Sequence, residues 1–347
     1  MSKERTEISS LGEFGLIDHL TKNIELQNAS SVLGVGDDAA VIDHFGKQTV
    51  ITTDLLLEGV HFDLVYTPLK HLGYKSVIVN LSDVYAMNAI PTQVIMSIGI
   101  SNRFSVEAID EFYEGVYAAC NKYGVDLVGG DTTSSQKGLV ISVTAIGEVT
   151  PDTYVKRSTA KKGDLLCVSG DLGAAYVGLL FLEREKKIYM ESPGVQPDLE
   201  GESYVIGRLL KPEARKDIVE FFAKEEIQPT AMIDISDGLS SEILHICKES
   251  ALGCVLYEEK IPIAEEMKKA AFKFEIDPTA CALSGGEDYE LLFTIAQSDY
   301  EKLVLNEQIS VVGYMTEPDQ GAHIITKGGG KHAITAHGWN HLKQNNS

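Results

Sequence analysis

Asp and Gly recur at the ends of apolar runs in six short segments of this 347-residue chain: GVGDDAAVI (34–42), ITTDLLLEGVHF (51–62), NLSDVYAMN (80–88), LVGGDTTSS (127–135), MIDISDGLSSEI (232–243) and LSGGEDYELLF (283–293). Such a grammar needs regular elements that end in loops, and loops anchored this way are where reactive groups collect. The runs between them alternate strand-like and helix-like. Strands are expected at 32–36, 48–54, 92–100, 125–131, 139–149, 165–170, 232–238, 289–296 and 309–315. Helices are expected at 11–22, 69–88, 105–123 (with Ser105 as cap), 173–185 and 239–250, loops at 188–201, and a late hairpin at KGGGK (327–331). The Val/Ile content of 69–88 leaves its middle open between helix and strand. The alternation points to α/β or α+β architecture. The polar stretch 150–164 divides the chain into expected domains at 1–150 and 151–347, in keeping with its length.

Each Asp taken singly is best read as a cap or turn residue. Six together are harder to explain so. Two carboxylates ~5 Å apart repel by ~3 kcal/mol at an effective dielectric of ~20, so a fold that gathers several calls for cations. Asp is a hard oxygen ligand suited to Mg²⁺, and Gly lets a backbone approach a phosphate. A multi-metal, phosphate-handling site is the preferred reading. The sequence has no GxxxxGK[ST] loop, no kinase HRD or DFG set, and no GxSxG or HExxH, and GVGDDA lacks the third Gly of a dinucleotide fingerprint.

With 30 Lys+Arg against 51 Asp+Glu, the net charge of −21 argues against a nucleic-acid or polybasic membrane-surface binder. No apolar run reaches the ~18–20 residues of a membrane span, and no signal-like segment opens the sequence. The five cysteines form no CxxC pair. Free thiols and a cytoplasmic location are expected.

The six segments, in this order, resemble the motifs of the thiamine-monophosphate kinase family, within the aminoimidazole ribonucleotide synthetase-like ATP-binding superfamily. The resemblance covers residues from about 34 to 340. It implies two α/β domains, a homodimer built through N-terminal strands as a shared sheet or barrel, and ATP-dependent phosphorylation of thiamine monophosphate assisted by several Mg²⁺ ions. It implies Mg²⁺ ligands at Asp37, Thr52, Thr53, Asp54, Asp83, Asp131, Asp234 and Asp237. Tyr113, Gly130, Asp131, Arg157 and Ser236 would hold ATP, and His61, Glu287 and Trp339 would contact thiamine monophosphate. No general base is implied. Asp37 is not separable from Asp38 at this point, nor Glu287 from Asp288. Within the superfamily, the reactive N-terminal Cys of selenophosphate synthetases and the terminal Cys of the hydrogenase maturation factor have no counterpart, since the first Cys is Cys120 and the sequence ends QNNS. A non-catalytic metal-binding module is disfavoured by the lack of a DxDxDG loop.

Overall fold

The computed structural model describes residues 31–33, 37–38, 40–44, 46–192 and 194–336. The helix expected at 11–22, part of the strand at 32–36, and Trp339 lie outside the described residues.

The first sheet runs β1 (Ser31–Leu33), β2 (Ala40–His44), β3 (Lys47–Leu57), β6 (Val140–Val149), β4 (Ile90–Ile100), β5 (Asp126–Ser134) in spatial order. Only β4 and β5 pair in parallel, and helix α2 (Val106–Tyr123) makes the crossover between them. Ser105 caps α2 by accepting from the Ala108 N–H at 3.3 Å. β6 buries Ile141, Val143 and Ala145, its alternate residues.

Helix α1 (Leu69–Ala86) packs on that sheet and also on β8 (Ala231–Ile235) of the second. Fourteen of its eighteen residues are buried. A helix buried all round has no apolar stripe, which is why its Val/Ile-rich middle reads ambiguously. Gly73 and Gly115 bring α1 and α2 into backbone contact: a Cβ at Gly73 would meet the Phe112 carbonyl oxygen at 1.9 Å, and one at Gly115 the Lys70 oxygen at 1.9 Å.

The second sheet has the order β13 (Lys331–Ala333), β12 (Ala322–Ile325), β9 (Gly253–Tyr257), β11 (Ile309–Thr316), β7 (Leu165–Ser169), β10 (Glu290–Ile295), β8. Every residue of β8 and β10 is buried, so these strands lack the alternation of a half-exposed strand. On one face Cys167, Met232, Leu291 and Phe293 join the core of the first sheet. On the other, Leu166, Val168 and Leu292 pack with helix α6 (Leu239–Ser250). Helices α3 (Ala174–Glu191), α4 (Ser203–Leu210), α5 (Lys216–Lys224), α7 (Glu265–Phe272), α8 (Pro278–Ser284) and α9 (Tyr300–Leu303) complete the described chain.

The expected loop at 188–201 is shorter than its sequence suggested. The helix-forming run KKIYME extends α3 to Glu191, and the residue before a proline then leaves the helical region. The hairpin at 327–331 is present as the β12–β13 turn. The polar stretch 150–164 is tied into the fold: Val155 is buried and its N–H donates to the Met87 oxygen at 3.0 Å, and Arg157–Thr159 forms a 3-10 turn. All five cysteines are buried thiols.

Candidate phosphoryl-transfer and metal site

The polar residues inside α1 organise the site. Asn80 Oδ1 accepts from the Asp54 N–H of β3 at 3.0 Å, Ser82 Oγ donates to Asp234 Oδ2 at 2.7 Å, and Asp83 Oδ2 accepts from Thr52 Oγ at 2.7 Å. One helix thus fixes β3 of the first sheet and the end of β8 in the second. The turn before β2 adds Asp38. Carboxylate oxygens of Asp38, Asp83 and Asp234 all lie within 4.8 Å of one another.

Arg157 is the cation bonded within this acidic group. Its guanidinium pairs with Asp38, with Nε to Oδ2 at 3.2 Å, while its backbone N–H donates to Asp37 Oδ1 at 2.8 Å. The structure thereby separates two adjacent carboxylates. Asp38, and not Asp37, belongs to the three that converge. Burial pushes Asp37 and Asp234 up to about 7 and Asp54 up to about 6. Asp83 rises well above the usual carboxylate range, first from burial, then from Asp234, Asp54 and Asp38. Asp38 rises through burial against the opposing pull of Arg157. In an ion-free chain such carboxyls keep protons at pH values where free ones have lost them.

The turn after β8 abuts the SGGED loop. The Glu287 N–H donates to the Ser236 oxygen at 2.7 Å, and a Cβ at Gly286 would meet that same oxygen at 2.4 Å. Ser236 is exposed, and the Asp237 N–H donates to Glu242 Oε1 at 2.9 Å. Glu287 and Tyr289 both have positive φ, +68° and +52°, which non-glycine residues adopt at a cost. That kink separates the second ambiguous pair. Glu287 turns to an ion pair with Lys75 of α1. Asp288 turns inward, accepts from the Gly173 N–H at 2.8 Å, and is pushed up to about 7 by burial. The Tyr289 hydroxyl is raised by burial and by the charges of Glu287, Asp54, Asp234 and Asp83, so the Glu287 end adjoins the acid cluster.

Other candidates stand apart. His61 Nδ1 accepts from the Leu57 N–H at 3.0 Å, holding the turn after β3. Thr53 alternates to the opposite face from Thr52 and Asp54, where its hydroxyl donates to the Val143 oxygen at 3.1 Å. Gly130 and Asp131 are exposed on edge strand β5. The register runs Asp54–Val143–Met96–Gly130 across three strand spacings, ~14 Å at ~4.8 Å each. Tyr113 lies on α2 against Tyr117, ring centroids 6.0 Å apart. Lys75, Asn80, Ser82, Glu242 and Tyr289 were not singled out from sequence. The available signal was polar or charged residues inside runs too apolar for a solvated surface.

An acid cluster between two mixed sheets, fed by Gly/Asp loops, defines the class. Residues 36–149 match the family described as AIR synthase related protein, N-terminal domain. Thiamine-monophosphate kinase of Aquifex aeolicus is 35% identical over 335 residues, 96% of this chain and 99% of the relative, and that of Bacillus subtilis is 32% identical over 96% and 100%. The solved structure of AaThiL complexed with AMPPCP and TMP superposes with a TM-score of 0.82 at 34% identity, covering 98% of this chain and 100% of that one. The chain belongs to the thiamine-monophosphate kinase family.

Proposed function

We infer that the chain transfers the terminal phosphoryl group of ATP to thiamine monophosphate, giving ADP and thiamine diphosphate. The observation that carries the reading is the convergence of Asp38, Asp83 and Asp234 within 4.8 Å, in a chain whose relatives are thiamine-monophosphate kinases. An oxygen of the acceptor phosphate attacks the γ-phosphorus in line. The new P–O bond forms as the β–γ bridge breaks, and its electron pair leaves with ADP. The acceptor's second pKa is ~6, so it is largely deprotonated at pH 7 and needs no base.

The donor set is all carboxylate and hydroxyl oxygen, which fits Mg²⁺. Asp38, Asp83 and Asp234 would hold it, with Asp54 beside them. Bound there, Mg²⁺ supplies charge neutralisation between two polyanions. The chain's own contribution is positional: Thr52, Asn80 and Ser82 fix the carboxylates, and Ser236 is exposed for a phosphate contact. Arg157 fixes Asp37 and Asp38 and would reach phosphate from there. Asp237 would be a further ligand. Glu287 and Trp339 would face the cationic ring of the substrate, and His61 would be a further contact.

A homodimer explains the separation of Asp131 from Asp54. The sheet face turned from α1 exposes Leu55 (52%) and Ile95 (37%), and edge strand β5 exposes Val128 (57%). A second copy on this surface would bring its own edge strand, with Gly130 and Asp131, toward the first copy's β3, where Thr53 lies on this face. Two domains at 1–150 and 151–347 and a cytoplasmic location belong to the same proposal. Among the described residues no helix is long and apolar enough to cross a membrane.

A product-resolved assay with ATP and thiamine monophosphate tests the reaction. Thiamine diphosphate should form one-for-one with ADP, and thiamine should be the poorer acceptor. Thiamine pyrophosphorylated in one step, or ADP released with thiamine monophosphate intact, would contradict it. Trp339→Ala should raise KM for thiamine monophosphate about tenfold or more and spare KM for ATP. Equal weakening of both substrates would remove Trp339 from the acceptor pocket.

A further inference from the structure

Lys75 is a charged residue in the interior of the largely buried helix α1, with its side chain 8% exposed. Its recorded partner among the described residues is Glu287, whose side chain is 34% exposed. An ammonium has three N–H donors, and one bond to one carboxylate leaves capacity unused. Lys75, Val79, Ser82 and Asp83 follow i, i+4, i+7 and i+8 on α1, so Lys75 lies on the same stripe as Ser82 and the candidate ligand Asp83, with ~12 Å of helix rise between the backbones of Lys75 and Asp83. Glu287 is held against this stripe by backbone at φ +68° and by its N–H to the Ser236 oxygen.

The pair joins two residues that the acceptor would need apart. Thiamine monophosphate carries a cation in its thiazolium ring and a dianion on a short two-carbon arm. Glu287 matches the first charge and Lys75 the second. Without substrate the two protein charges neutralise each other. With substrate, each can take the opposite charge of the ligand, and one ion pair becomes two without stranding a buried charge.

We propose that Lys75 is a catalytic residue that binds the acceptor phosphate, and that the Lys75–Glu287 ion pair is opened by the cationic end of the same molecule. This rests on the reading of thiamine monophosphate as acceptor. The exchange selects a zwitterionic acceptor, because a ligand with only the cation would draw Glu287 away and leave Lys75 unpaired. It also places a positive charge on the phosphate that must be brought up to ATP.

The test uses the full chain. Lys75→Met keeps length and removes charge. It should lower kcat/KM for thiamine monophosphate about 10- to 100-fold, the range of a lost charged hydrogen bond. KM for ATP should stay near wild type, and thiamine should bind, by calorimetry, as well as before or better. Lys75→Arg should recover part of the loss. Thiamine monophosphate kinetics within about threefold of wild type, or equal weakening of thiamine and its monophosphate, would overturn the proposal. Should Lys75→Met fail to fold, Lys75→Met/Glu287→Leu leaves no buried charge alone. Its ratio of affinities for thiamine monophosphate over thiamine should fall, and an unchanged ratio overturns the proposal. A wild-type chain that makes no thiamine diphosphate would instead overturn the assigned reaction, whatever the variants do.

Discussion

Two clusters of buried charge among the described residues are built on opposite plans. In the second sheet Glu290, 1% exposed, is held by Arg208 at 2.9 Å, by Arg215, and by the Ser169 hydroxyl at 2.6 Å. Arg215 in turn forks onto Asp217 at 2.9 and 2.7 Å. Here two guanidiniums answer the carboxylates, and the network ties α4 and α5 to β10. At the sheet interface Asp38, Asp83 and Asp234 converge, with Asp54 near enough to raise Asp83, and among the described residues one guanidinium, that of Arg157, bonds into the group, at Asp38. Both clusters cost desolvation. Among the described residues Glu290 is matched by two guanidiniums, while the converging aspartates are left in surplus, which makes the second cluster the better place for added cations. Buried charge alone does not mark a site; buried charge left in surplus does.

The largest effect expected from this contrast is on turnover. Asp83→Asn removes a candidate ligand and should lower kcat about 100-fold or more, while the ion-free chain melts higher at pH 8, because a carboxyl that burial and its neighbours hold back from ionising is replaced by a neutral amide. A coupled ADP assay with parallel thermal melts checks both. Near-normal activity at limiting Mg²⁺ would break the comparison. Glu290→Gln should do the reverse. It leaves buried Arg215 and half-buried Arg208 short of a partner and should cost about 3–5 kcal/mol of stability, with a lower melting temperature in any Mg²⁺ concentration. A variant as stable as wild type would show the network to be dispensable.

The pH dependence sharpens the contrast. Asp54 and Asp234 are raised to about 6 and about 7 from 3.8. The folded ion-free chain therefore binds more protons than the unfolded chain between pH ~4 and ~7, and stability falls as pH rises through that window. Melting temperature without Mg²⁺ should drop from pH 5 to pH 8, and saturating Mg²⁺ should remove most of the drop. A flat ion-free profile would mean that the carboxylates are not in surplus. The smallest expected difference lies between neighbours: Asp38→Asn should lower kcat about tenfold more than Asp37→Asn, because Asp37 answers the backbone N–H of Arg157 while Asp38 joins the converging three. Equal losses in steady-state kinetics would erase that distinction.

Much of this was legible in the residues. The segments NLSD and DISDG carry Asp83 and Asp234 and announce themselves by Asp at the ends of apolar runs, and α6 follows its turn at the expected residues. The choice between Asp37 and Asp38 was not legible, because it depends on where Arg157 lies 120 and 119 residues later. Lys75 was hidden by its helix. Without an amphipathic face, a lysine in a buried position cannot be told from one on the surface. β9 and the shorter helices α4, α5, α7, α8 and α9 carry too few periods for pattern to decide. The ~14 Å between Asp54 and Gly130, the neighbour of Asp131, comes from strand order β3-β6-β4-β5, which sequence proximity does not encode.

On this reading the surplus carboxylates form a cation site. Calorimetric titration of the ion-free chain with Mg²⁺ near pH 6.5, repeated in buffers of different ionisation enthalpy, tests it most directly. Wild type should bind Mg²⁺ and release protons as raised carboxyls ionise, and the Asp38→Asn/Asp83→Asn/Asp234→Asn chain should lose that binding and that proton release together. Binding of equal strength and equal proton release in both chains would contradict the account.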